Sequence, residues 1–465
     1  MNPIGAWFAF KPVVLWSDAL IFLLLLAGAV FLAAALRREH WRVAFRQIAA
    51  NRLAMASFLV LCLYGAIGFL DTLHFIRLGA DGNEQGSIQS VLDVLAQPLV
   101  DRTEKTYSAP LAATQFSKET FLGPDGRDVH DFPRLQHGGS HLLDPAGADA
   151  DIRSRLWRGG GYGLGIGLCF LVLCPLASLA FGRTIRGGAF WGAFLAALSI
   201  FAAEVLCLGG FFDALPAGTD PFLPGYHVLG TDKVGKDVLY MGLKSIRTGL
   251  VIGTLTTLIV TPFAILFGVL AGYFGGWVDD VIQYVYTTIA SVPEILLISA
   301  AMLIVEVGIK SEETIRSADK RLLWLCVIMG ITSWTGLCRL IRGEVLKLRE
   351  VEFVQAADAF GVSRVRILMR HLVPNVMHIV LITVVLRFSG LVLAEAVLSY
   401  VGIGVDPSME SWGNMINQSR LELARDPIVW WNLFAAFVFM FGLVLPANLF
   451  GDAVRDALDP RLRTR

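Results

Sequence analysis

Residues 249–272 read GLVIGTLTTLIVTPFAILFGVLAG, twenty-four positions without a single Asp, Glu, Lys or Arg. At ~1.5 Å per residue, such a run forms a helix of roughly 36 Å, longer than the ~30 Å hydrocarbon core of a bilayer. A helix satisfies its own backbone polar groups and so survives where water is absent. Runs of the same kind recur at 17–36, 52–70, 162–182, 189–209, 282–305, 321–339, 377–397 and 428–449. The expected fold class is therefore an all-α polytopic membrane protein with nine spanning helices. Composition agrees: 55% of residues are hydrophobic and 17% charged, against about 45–50% and about 25% in soluble domains. The 39 basic and 39 acidic residues cancel, which gives no field suited to nucleic acid.

The distribution of charge carries the orientation. Segments 37–51, 183–188, 340–376 and 450–465 are rich in Arg and alternate correctly with the nine runs. Cytoplasmic loops retain Lys and Arg, so the N-terminus is placed outside and the C-terminus in the cytoplasm. The first run, with Ala33-Ala34-Ala35 near its end, is not read as a cleaved signal peptide. Only Lys11 precedes it, while Arg37, Arg38, Arg42 and Arg46 follow it. Segment 71–155 carries more acidic than basic residues, and its sparse apolar residues show no clear period; it is read as an extracytoplasmic insertion. Cys62, Cys169, Cys174, Cys207, Cys326 and Cys338 all lie in apolar runs and are read as small hydrophobes, not as a disulfide or metal framework.

No phosphate-binding loop, G-x-S-x-G or H-E-x-x-H occurs. No catalytic residue, cofactor or metal site is expected. The most informative polar stretch is Leu346–Asn375, LKLREVEFVQAADAFGVSRVRILMRHLVPN. Its first part has helical spacing, Gly361 breaks it, and a second basic amphipathic helix runs to Pro374. Periodicity alone leaves two readings: an L-shaped projection into the cytosol, or an amphipathic helix lying on the membrane.

This segment resembles the EAA loop of ABC importer permeases. Gln355-Ala356-Ala357 occupies the triplet, with Gln in place of the usual Glu; Gly361 occupies the turn glycine and Val373-Pro374 the end, with Val in place of Leu. Glu352-Phe353-Val354, His371 and Asn375 resemble the dipeptide/oligopeptide/nickel branch, C-type subunit. The resemblance runs in order through residues 226–463: HVLGTDKVGKD at 227–237, GVLAGYFGGWVD at 268–279, SWTGLCRLIRGEV at 333–345, Leu393–Gly404, SWGNMI at 411–416 and GDAVRDALDPRLR at 451–463. Residues 1–210 match much less well. The expected organisation is 1–70 as N-terminal spans, 71–160 as the insertion, 161–225 as further added spans, and 226–463 as a type I permease core.

The resemblance implies a multi-pass permease of the bacterial inner membrane that forms half of a path for peptides or related small solutes. ATP hydrolysis would lie on separate ATPase subunits, docked through Glu352, Gln355, Ala356, Ala357, Gly361 and Pro374. A sister permease, a periplasmic solute-binding protein and membrane lipid complete the implied partners. A permease for nickel, an opine or another small ligand stays open. A membrane sensory or scaffold protein is the reading from another class, and a secondary transporter is disfavoured because no persuasive internal repeat is found.

A charge at the bilayer centre costs about 2.5–3.5 kcal/mol on insertion scales, so Glu294, Arg387 and Glu395 are candidates for the translocation path. For Glu395, and for Glu204 in the fourth run, snorkelling to a nearby interface is the favoured alternative. Pro293 before Glu294 permits a kink. Gly268, Gly272 and Gly276 are read as a packing face. His130, His137 and His141 near Asp125, Asp128 and Asp131 invite a metal reading, but irregular spacing favours a solvated loop.

Overall fold

The computed structural model describes residues 10–37, 39–78, 84–122, 128–142, 144–180, 185–210, 225–308 and 315–458. In chain order, strand β1 (Phe10–Val13) precedes helices α1 (Trp16–Ala35), α2 (Glu39–Ala50) and α3 (Arg52–Thr72). Strands β2 (His74–Leu78) and β3 (Glu84–Ser90), short helices α4 (Val91–Leu95) and α5 (Gln97–Val100), and strands β4 (Glu119–Leu122) and β5 (Asp128–Asp131) follow. Then come α6 (Ala148–Ala180), α7 (Ile185–Leu208), α8 (Val238–Phe274), α9 (Gly276–Ala290), α10 (Glu294–Gly308), α11 (Ile315–Ser333) and α12 (Thr335–Arg349). The chain closes with α13 (Glu352–Ala359), α14 (Arg364–Ile367), α15 (Val373–Tyr400), α16 (Trp412–Glu422) and α17 (Trp431–Leu458).

Among the described residues, seven helices are long and apolar enough to cross a membrane. Helices α9 and α10 reach that length only together and bend by 85° at Ser291–Pro293, the geometry of a broken span or a re-entrant loop. The run at 282–305 is thus two half-helices and not one straight span. Pro293 supplies no amide hydrogen and opens the ladder. The first run forms α1, whose apolar part Trp16–Val30 is too short to be counted among the spanning helices, so the described residues give seven crossings, or eight with the bent pair, and not the nine expected.

The chain divides into two compact units. One comprises Met1–Val91, Ser245–Asn417 and Met440–Arg465. Its largest core joins α8, α9, α12, the stretch 354–372 and α15 around Leu337, Ile341, Val345, Ile367 and Leu372, all fully buried. Gly268 and Gly272 let α8 lie against α12: a Cβ on Gly272 would stand 2.7 Å from the Val345 Cβ. Gly276 is not part of that face; it sits in the α8–α9 turn with open space around it. The N-terminal helix is secured by buried charge. Asp18 of α1 receives Arg247 of α8 at 2.5 Å and His74 of β2 at 2.8 Å, and the Ser17 amide donates to Asp319 of α11 at 3.2 Å.

The other unit comprises Leu92–Lys244 and Gln418–Phe439. It holds the α6–α7 helix pair, where Gly159, Gly163 and Gly167 press against Glu204, Ile200 and Ala196; a Cβ on Gly163 would lie 2.5 Å from the Ile200 Cα. Glu204 is half-buried at this contact. Strands β4 and β5 pair antiparallel, as do β1–β2–β3 in the first unit. Extended pairing within 71–155 was not legible from its sparse apolar pattern. The histidines there have separate partners. His130 faces Thr120 across the hairpin, the His137 amide donates to Glu104, and His141 pairs with Asp151 at 2.7 Å. Among the described residues no group of three or more could hold a metal ion; Asp125 lies outside them.

Candidate functional site

Three places carry the sequence expectations. The first is the stretch after α12. Helix α13 ends at Phe360, Gly361 turns the chain with φ +73°, and α14 begins after Ser363. The left-handed turn favours glycine because a Cβ there meets the backbone. The second helix does not stop at Pro374. Residues 364–400 run as one apolar helix, with a π turn at Leu368–Leu372 directly before Val373 and Pro374. Widening the ladder by one residue accommodates a proline without a break.

Burial sorts the candidate coupling residues. Val354 and Ala357 face inward, at 2% and 9% exposure, onto Ile367, Leu368 and Leu372. Glu352, Gln355, Ala356, Gly361 and Pro374 are exposed. The two alanines therefore do not share one face; successive residues on a helix are ~100° apart, and only Ala356 points outward. The outer face also carries residues that sequence reading passed over: Phe360 at 87% exposure, Val365 at 70% and Met369 at 65%. The available signal was an aromatic directly before the turn glycine. Beneath the loop, Arg342 of α12 holds Asp279 of α9 with two parallel bonds of 2.5 and 2.6 Å. Arg364 lies over the Phe274 ring at the end of α8.

The second place lies within the spans. Glu294, at the start of α10, accepts the Ser333 hydroxyl, and Arg387 of α15 donates to the Ser333 carbonyl. Ser333 ends α11, and its carbonyl is one of those a helix end leaves unpaired. Gly336 makes room for the guanidinium: a Cβ there would stand 2.5 Å from Arg387 Nη2. The structure thus brings two of the three path candidates to one serine. Glu395 stands apart, two turns further along α15 and ~12 Å by helical rise. It does not snorkel. It is 1% exposed and accepts from Ser399 at 2.7 Å and from Ser411.

The third place is the stretch 227–237. Asp232 Oδ1 accepts the amides of Val234 and Lys236, and Asp237 caps α8 by accepting those of Leu239 and Tyr240. The other Asp237 oxygen takes His227 Nδ1 at 2.7 Å, and His227 Nε2 stands 3.4 Å from Glu104. Glu104 is enclosed by the amides of Gln136, His137 and Gly138 at 2.8–2.9 Å. Burial opposes charge on His227, but its bonds to Asp237 and Glu104 prevail and raise it to about 9. Burial likewise opposes charge on Glu104; His227 and the three amides outweigh it and hold the carboxyl at about 2.

A pH dependence follows. The raised His227 contributes stability fully below its ordinary value of 6.5 and loses it as pH rises through about 9. The depressed Glu104 contributes above its ordinary 4.5 and loses it as pH falls through about 2. Both contributions are complete only between 4.5 and 6.5. Melting of the purified protein is expected to be highest in that window and to decline toward pH 9. A melting curve unchanged from pH 6 to 9 would contradict the paired, charged His227.

Residues 264–464 match the model of the family described as binding-protein-dependent transport system inner membrane component. The chain is 36% identical over 255 residues to the oligopeptide transport system permease protein OppC of Mycobacterium tuberculosis, covering 54% of this chain and 81% of that one. It is 31% identical over 243 residues to OppC of Haemophilus influenzae, covering 52% and 73%. With the dipeptide transport system permease protein DppC of Bacillus subtilis it shares 30% identity over 237 residues, covering 51% and 69%. Seven or more long apolar helices and this degree of likeness place the chain in the family of binding-protein-dependent transport system inner membrane components, as a permease subunit of an ABC importer.

Proposed function

We propose that this chain forms one half of a path for peptides, beside a sister permease, and that separate ATPase subunits drive it through the exposed face of 352–374. The observation that carries this reading is the Glu294–Ser333–Arg387 cluster. Glu294 is exposed on the chain yet belongs to an apolar, sharply bent helix pair. A carboxylate is not left against hydrocarbon, so that side of the chain faces a watery path or another protein. From Ser333, α12 leads within sixteen residues to Arg349, and the exposed Ala356, Phe360, Val365 and Met369 follow in the loop beyond it. Relatives named for oligopeptide and dipeptide transport support peptides as the solute class. Residues 226–463 are assigned to the permease core, with 1–70 and 161–225 as added spans and 71–160 outside the cytoplasm. The N-terminus faces the periplasm and the C-terminus the cytoplasm.

Two measurements test this. Arg387→Ala is expected to lower peptide uptake at least about tenfold with the ATPase subunits still bound, because it strips a desolvated charge from its serine and leaves Glu294 uncompensated. Full uptake by Arg387→Ala would remove the cluster from the path. For orientation, exposed Ser117→Cys is expected to react with an impermeant reagent in whole cells, and exposed Ser363→Cys only after lysis. The reverse pattern would invert the topology.

A further inference from the structure

Two buried charges on α8 and α11 are met by the first helix of the chain. Arg247 lies early in α8 and Asp319 early in α11, the latter inside the residues matched to the family. Both are buried, as are Ser17 and Asp18 in the first turn of α1. The Arg247 guanidinium donates to Asp18 at 2.5 Å and to the Ser17 hydroxyl at 2.8 Å. The Asp319 carboxylate accepts the Ser17 hydroxyl through one oxygen and the Ser17 amide, at 3.2 Å, through the other. Among the described residues, neither charged side chain makes a hydrogen bond or ion pair with anything else. Ser17 thus receives from a charge on α8 and gives to a charge on α11, a relay in which each bond polarises the next. A buried guanidinium or carboxylate without a partner is strongly disfavoured. The packing of α8 beside α11 is therefore complete only with the first turn of α1 between these charges.

Helix α1 is itself held in place. Asp18 Oδ2 accepts the Leu15 amide at 3.2 Å and meets His74 Nδ1 at 2.8 Å. Val13, just before it, pairs with His74 between β1 and β2. One turn further along α1, Ile21 packs against the apolar core that contains Val251 and Leu255 of α8 and Leu322 and Leu325 of α11. Asp319 and Ser333 lie fourteen residues apart on α11, or ~21 Å along its axis, and Ser333 is the serine that meets Glu294 and Arg387. Nearer its other end, α8 packs through Gly268 and Gly272 on Ile341 and Val345 of α12, the helix that follows α11.

We infer, resting on the reading of 1–70 as an addition to a permease core driven through 352–374, that Ser17 and Asp18 are positioning residues for transport. Through them the added helix clamps α8 to α11 at the end away from the loop, so that the two helices carry Ser333 as one body when the loop moves. Without the clamp those ends would keep only their apolar contacts, which are non-directional and permit sliding, whereas hydrogen bonds fix distance and angle.

The test uses the whole transporter, with sister permease and ATPase subunits, in proteoliposomes supplied with binding protein and the peptides of a 14C-labelled casein digest. Peptide imported per ATP hydrolysed is measured beside the melting temperature. Ser17→Ala leaves Asp18 on Arg247 but cuts the relay to Asp319, and Asp18→Asn removes the counter-charge. Each is expected to lower peptide imported per ATP by at least about fivefold, the lower end of couplings between distant sites, with ATP still hydrolysed. Because both cut the same link, the double variant should match the worse single one to within about twofold. A role in folding alone predicts that uptake and hydrolysis drop together with the number of folded transporters, leaving peptide per ATP at the wild-type value. That value in Ser17→Ala overturns the inference, as do losses that simply multiply in the double variant. Should Asp18→Asn fail to assemble, Ser17→Ala decides alone. The ratio is read whichever residues line the path, so Arg387→Ala can fail its own test while this one stands.

Discussion

Phe360→Asp is expected to reduce uptake by at least about tenfold while leaving the chain as stable as wild type. The ring is 87% exposed at the turn before Gly361. Its replacement should therefore change folding by no more than about 0.5 kcal/mol. Docked in a partner's groove, the same ring would bury enough apolar surface to contribute about 1.5–3 kcal/mol, or roughly 10- to 150-fold in affinity. A carboxylate in its place would add a desolvation cost. Co-purification of the ATPase should fall in step. Ala357→Arg provides the contrast. Ala357 packs inward onto Ile367 and Leu372, so the arginine should disrupt the loop itself and lower the melting temperature. If Phe360→Asp keeps full uptake and a normally associated ATPase, the exposed face is not the docking face.

Glu104→Ala is expected to produce the largest loss of stability. It removes the acceptor for the amides of Gln136, His137 and Gly138, and it leaves His227 with Asp237 alone. Breaking a buried charge cluster costs about 3–5 kcal/mol. At ~2–4 °C per kcal/mol for a unit of this size, melting should fall by roughly 6–20 °C, and the decline toward pH 9 should flatten as His227 loses a partner. Glu104→Gln keeps the shape and one acceptor and should lose less. Wild-type melting in Glu104→Ala would show that the three amides find other partners.

Most apolar runs were legible because the bilayer admits few solutions: seven long apolar helices and one bent pair account for eight of the nine, but the apolar part of the first run is too short to be counted with the others and 282–305 is two half-helices. Its bend needed the geometry at Pro293, which one residue type permits without requiring. Turn chemistry around Gly361 was legible for the same reason, since few residues fit there. What could not be read were partners far apart in sequence. Asp18 meets Arg247 across 229 residues and Ser17 meets Asp319 across 302, and no local period signals either. Ser333 acts partly through a backbone carbonyl, which its identity does not reveal. The split between Ala356 and Ala357 depended on the rotational setting of one eight-residue helix, and the strands of the insertion left too weak an alternation to detect.

The unbroken helix from Arg364 to Tyr400 has a mechanical consequence. Arg387 sits twenty-three residues from its start, about 35 Å along a stiff rod. Tilting that rod by only ~5° about its cytoplasmic end carries the guanidinium some 3 Å sideways, more than the length of the bond it makes to the Ser333 carbonyl can stretch. The proline that would ordinarily place a joint between loop and span is absorbed by the π turn, and the helix runs on through it. If the proposed docking face is where motion enters, gearing of this kind would turn a modest displacement at one face of the membrane into the making or breaking of a single charged contact inside it.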